Sequence, residues 1–125
     1  PRLLVLDEPA AGLDPDQRLR LRDMLSHLAT SATVVVSTHL TDEAAAVSTQ
    51  VVVIAGGQTR FTGTPASLAA HAEGRVWRSE GAPPQALRSW REPDGTYRCI
   101  GEPPHGAELL APTIEDGYLL LVAQH

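Results

Sequence analysis

In the first half of the chain, short unbroken apolar runs alternate with longer stretches whose apolar residues recur every three or four positions. Residues 2–6 form the first run and end in turn residues, the pattern of a strand buried on both faces. Asp14 followed by Pro15 predicts a helix start, with a side-chain acceptor at the cap and a proline where its missing N–H is harmless. Leu21, Met24, Leu25 and Leu28 then give that helix one apolar face. "TVVVS" at 33–37 predicts a second buried strand, rich in β-branched residues. Thr41 is the expected cap of a short helix whose first turn carries Asp42 and Glu43. "QVVVI" at 50–54 predicts a third strand, which Gly56 and Gly57 turn into a hairpin with "QTRFTG", and Thr64-Pro65 start another helix ending near His71.

After about residue 73 the apolar runs shorten and most of the proline appears. Strands are expected near 75–79, 96–100 and 107–110, with a final helix from Thr113 to Val122 that places Ile114, Tyr118 and Leu121 on one face. The organisation is therefore an α/β part at 1–72, with parallel strands and flanking helices, and a small α+β accessory subdomain at 73–125.

Composition narrows the function. The net charge of −5 argues against a nucleic-acid partner, which needs clustered cations. All ten basic residues are arginine, so there is no lysine. The single cysteine, Cys99, cannot form an internal disulfide, which suits a reducing compartment. No apolar run approaches the roughly 20 residues that span a bilayer.

The chemistry concentrates where the first strand ends. Ligands of open parallel sheets bind at the carboxyl ends of strands, and Asp7 and Glu8 sit at such an end. Adjacent side chains point apart, so one acid can hold a hard cation such as Mg²⁺ while the other faces the reacting group. His39 follows the second strand. With the two strands side by side, its imidazole reaches the same edge and can hydrogen-bond a phosphate oxygen.

These segments carry a family resemblance. "LLVLDEP" resembles the Walker B segment of the ATP-binding subunits of ABC transporters, "AAGLDP" their D-loop, and "STHL" their switch-histidine loop. "QVVVIAGGQTRFTGTPASL" is similar to the stretch that follows, and "PTIEDGYLLLV" at 112–122 to the terminal helix of subunits that power exporters. The resemblance implies the C-terminal part of a P-loop NTPase (RecA-like) parallel sheet, with ATP and Mg²⁺ as ligands. It implies that Asp7 binds Mg²⁺ through water and that Glu8 acts as general base or polarises the attacking water. His39 would contact the γ-phosphate, and Ala11, Gly12, Leu13 and Asp14 would form the D-loop at the interface with a second ATP-binding subunit. A membrane-spanning transporter subunit is the other implied partner, and the cytoplasmic face of the cell membrane the implied location.

Thr49-Gln50 departs from the family's usual Asp-Arg pair, which removes a local ion pair and leaves the site alone. No G-x-x-x-x-G-K-[ST] loop occurs in these residues, and the chain starts with Pro and at Walker B. The expectation is a C-terminal fragment: the intact parent hydrolyses ATP and the piece alone does not. Two other classes stay open, a non-transport ABC-type ATPase and a non-catalytic truncated module that binds or regulates.

Overall fold

The computed structural model describes residues 2–124. They form a mixed α/β structure that divides into two compact units, one running to Thr49 and the other from Gln50.

In the first unit, β1 (Leu3–Asp7) and β2 (Thr33–Ser37) pair in parallel, Leu3 opposite Thr33 through to Asp7 opposite Ser37. Parallel neighbours need a crossover, supplied by α1 (Pro15–Leu28). Its start follows the sequence pattern. The Asp14 carboxylate accepts from the Gln17 N–H at 2.8 Å, and the Gln17 side chain accepts from the Asp14 N–H at 3.1 Å. The next helix, α2 (Thr41–Val47), corrects one expectation. Its cap position falls on Leu40, with no side-chain cap, so Thr41 lies inside the first turn. The hydroxyl that matters comes earlier: Thr38 Oγ1 accepts the Leu40 N–H at 3.0 Å.

Burial corrects a second expectation. Leu4, Leu6, Val34 and Val36 are half-buried, while Leu3 is 68% exposed, Val5 64% and Val35 47%. The pair is covered on one face and open on the other. The reason lies in α1 and α2, whose Leu21, Leu25 and Val47 gather around Val36 on one side. Of the expected apolar face of α1, Leu25 is buried and Met24 is half exposed.

In the second unit, β3 (Val51–Ala55) and β4 (Gln58–Gly63) form the expected antiparallel hairpin. Gly56 and Gly57 turn it with φ of 61° and 74°, a conformation costly for residues with a Cβ. Then come α3 (Pro65–Ala70), capped by Thr64, and four antiparallel strands: β5 (Val76–Ser79), β6 (Arg88–Arg91), β7 (Tyr97–Ile100) and β8 (Glu108–Leu109), in the order β6-β7-β5-β8. The sequence reading does not predict β6. "RSWR" offers one apolar residue between arginines, and at the sheet edge it needs no more. The last helix, α4 (Ile114–Ala123), is capped by Thr113 and brings Ile114, Tyr118 and Leu121 against Val51, Val53 and Leu68. A second cluster joins Ala72, Val76, Ile100 and Leu120. Parallel pairing among the described residues is confined to β1 and β2.

Candidate active site at the end of the parallel strand pair

The register that sets Asp7 opposite Ser37 brings the two strand ends together residue by residue. Ser37 Oγ donates to Asp7 Oδ1. One step on, Thr38 Oγ1 donates to Glu8 Oε2 at 3.2 Å, and the His39 backbone N–H donates to Glu8 Oε1 at 3.0 Å. His39 Nδ1 lies 2.7 Å from the same oxygen. An ionised carboxylate only accepts, so Nδ1 carries the proton in this contact and Nε2 is the free nitrogen. The imidazole side chain is 75% exposed, against 32% for Glu8, so the ring remains open to a ligand.

Backbone geometry aims Glu8 at these donors. Its φ of 48° places a non-glycine residue in the left-handed region directly before Pro9. The Glu8 N–H still reaches the Ser37 carbonyl at 2.7 Å, so the turn begins only after the last ladder bond. The His39 hydrogen bond holds the Glu8 carboxyl below its ordinary value, helped by the His39 N–H, the imidazole charge and Thr38 against a smaller burial effect. A carboxylate held this way takes up a proton poorly and stays an ionised acceptor.

The residues present fit Mg²⁺ in one limited manner. No group of three or more His, Cys, Asp or Glu that could hold a metal occurs among the described residues. What the strand ends do offer is the exposed Asp7 carboxylate with the Ser37 hydroxyl beside it, all hard oxygen donors. That suits a Mg²⁺ ion that keeps most of its water and draws its remaining ligands from phosphates.

The four residues Ala11, Gly12, Leu13 and Asp14 form the turn between β1 and α1. Ala11 N–H reaches the Glu8 carbonyl at 3.1 Å and Leu13 N–H the Ala10 carbonyl at 3.2 Å, while Gly12 takes φ of 77°. Asp14 is occupied as the α1 cap. Ser37, Thr38 and the pair Arg22–Glu43 are site neighbours that the sequence reading does not single out. For the two hydroxyls the signal was available: parallel pairing of 3–7 with 33–37 puts "ST" opposite "DE". For Arg22 and Glu43 there was none beyond helical spacing.

No family model matches the chain. It is 44% identical over 70 residues to the energy-coupling factor transporter ATP-binding protein EcfA2 of Lactiplantibacillus plantarum, a stretch covering 54% of this chain and 24% of that protein. The corresponding protein of Streptococcus thermophilus is 46% identical over 66 residues, 52% of this chain and 24% of the relative. The human phospholipid-transporting ATPase ABCA7 is 37% identical over 70 residues, 56% of this chain and 3% of its own length. The chain thus spans about a quarter of the length of the bacterial relatives. Over about half its length, this chain is similar to the ATP-binding proteins of ABC transporters.

Proposed function

We propose that residues 1–72 form the metal-and-water part of the ATPase site of an ABC transporter ATP-binding subunit, built on part of a RecA-like parallel sheet. The observation that carries this reading is the convergence of Asp7 and Glu8 with Ser37, Thr38 and His39 at the carboxyl end of one parallel strand pair. Asp7 would hold Mg²⁺ through water. Glu8 would orient the attacking water, and His39 would present Nε2 to the γ-phosphate, donating a hydrogen bond when protonated. Phosphoryl transfer asks for these parts: a metal, a placed water and stabilisation of spreading negative charge.

The finer assignments follow from the same resemblance. Ala11 to Asp14 would face a second ATP-binding subunit, and a membrane-spanning subunit would place the assembly on the cytoplasmic face of the membrane. Exporter type rests on residues 112–122 alone. The accessory segment 73–125 is set apart by residues 73–111, which carry no such motif, a division by motif content and not by packing. Since these 125 residues contain no lysine and no G-x-x-x-x-G-K-[ST] loop, the polypeptide alone should not turn over ATP.

A chimera tests the reading. Residues 1–72 are grafted in place of the matching stretch of the L. plantarum relative, and Mg-ATP hydrolysis is measured. The chimera should hydrolyse ATP, and E8Q within it should slow turnover at least about 100-fold with nucleotide binding retained. An active chimera that is indifferent to E8Q refutes the role of Glu8.

A further inference from the structure

Arg22 and Glu43 make the most specific contact between the two helices that frame the site. Arg22 Nε donates to Glu43 Oε2 at 3.2 Å and a terminal guanidinium nitrogen donates to Oε1 at 2.7 Å, a two-pronged ion pair. Glu43 is buried, its side chain only 10% exposed, and Arg22 closes over it from α1. Such forked pairs fix orientation as well as distance.

The surroundings explain why this contact governs position. Helix α2 has seven residues and no side-chain cap, too few to hold its shape unaided. The apolar support in this unit is thin, with Ala10 and Leu25 the buried apolar residues among those described there. Glu43 lies four residues beyond His39, in the first turn of α2, and its partner lies on the helix that leaves the Asp7–Asp14 turn. Pro9, Ala10, Thr38, Arg22 and Glu43 line one small space between these elements. Anything that shifts the start of α2 therefore shifts Thr38 and His39 against Glu8.

We propose that Arg22 is a positioning residue: its forked pair with Glu43 anchors the first turn of α2 and so sets the distance at which Thr38 and His39 meet Glu8. Its relevance to ATP hydrolysis rests on the function proposed above, but the geometry does not. A readout taken without nucleotide can therefore fail or succeed independently of that function.

The readout is the His39 amide proton in the 125-residue chain, observed by NMR at neutral pH. The wild-type amide donates to an ionised carboxylate, so E8Q should move its resonance, and the size of that move reports the contact. In an R22Q background the E8Q effect should fall to less than half, with the resonances of β1 and β2 otherwise kept. R22K retains the charge and loses the fork, and should give an intermediate effect. The exchange R22E with E43R should restore the wild-type response. An undiminished E8Q effect in folded R22Q would overturn the proposal. Where R22Q does not fold, an R22K response equal to wild type overturns it equally.

Discussion

Gly117 sits inside α4, where substitution by alanine would ordinarily help. Helix propensity alone favours alanine over glycine by about 1 kcal/mol. The structure reverses that sign. A Cβ at Gly117 would overlap the Leu68 carbonyl oxygen and lie 2.8 Å from the carbonyl carbon, with Ala69 N at 3.4 Å. Unstrained carbon–carbon contacts lie near 3.5–4.0 Å, so α3 and α4 must part by roughly 1 Å. The atoms in the way are backbone, which cannot rotate aside. Parting the helices also loosens Leu68 and Leu121 from Val51 and Val53, the core of this unit. Overpacking of this kind costs about 1–3 kcal/mol. Added to lost packing and set against the propensity gain, it leaves G117A less stable by about 1–2 kcal/mol. A domain of this size loses about 4–8 °C per kcal/mol. Melting followed by circular dichroism should therefore drop by about 5–15 °C by the same scaling. A G117A chain that melts at or above the wild-type temperature would refute the close α3–α4 approach.

Asp116 is 1% exposed, accepts from Arg98 Nε at 3.1 Å and from the Thr113 N–H at 2.8 Å. D116N leaves a largely buried guanidinium uncompensated and should cost about 3 kcal/mol; a loss under about 1 kcal/mol in urea unfolding would contradict this. Arg22 hydrogen bonding holds the Glu43 carboxyl below its ordinary 4.5, against the smaller effect of burial. A depressed carboxyl stabilises the fold above its unfolded value, and that contribution disappears as pH falls through the folded value. Wild-type stability should thus decline below about pH 4.5 more steeply than that of E43Q, and parallel curves would rule the linkage out. The exposed face formed by Leu3, Val5 and Val35 should bind the dye ANS and promote self-association. V5T with V35T should lower both, as judged by fluorescence and light scattering, and unchanged signals would exclude that face as their source.

Where pattern and local chemistry agree, the sequence was enough. Asp14-Pro15 and Thr64-Pro65 each announce a helix start through side chain and proline, and each residue before the proline caps its helix, while Thr113, read as the first residue of the last helix, is its cap. The runs at 33–37 and 58–63 likewise form the predicted strands. Burial was less legible, because a continuous apolar run does not state what will cover it. Leu3 and Val5 read as core and stand exposed, since only one face of β1 meets helices. The cap at Thr41 failed for a related reason. Thr38 supplies a hydroxyl to Leu40 and to Glu8 at once, a tertiary arrangement with no trace in the local pattern of 38–43.

Glu8 is where these two kinds of information meet. Its left-handed backbone is disfavoured for a residue with a Cβ, and the following proline restricts it further. Nothing in "LDEP" supplies a local reason to adopt it. The reason lies across the strand pair, where Thr38 Oγ1, the His39 backbone N–H and His39 Nδ1 can satisfy the carboxylate only if the turn is made this way. Strain of this sort persists when surrounding contacts over-determine it, and it gathers at functional sites. The backbone outlier is observed, and three donors converging on the same carboxylate explain its survival. A residue that breaks a local rule while holding such contacts is a better candidate for chemistry than an acid at a relaxed strand end. By that criterion Glu8, and not Asp7 or Asp14, is the residue around which the rest of the site is arranged.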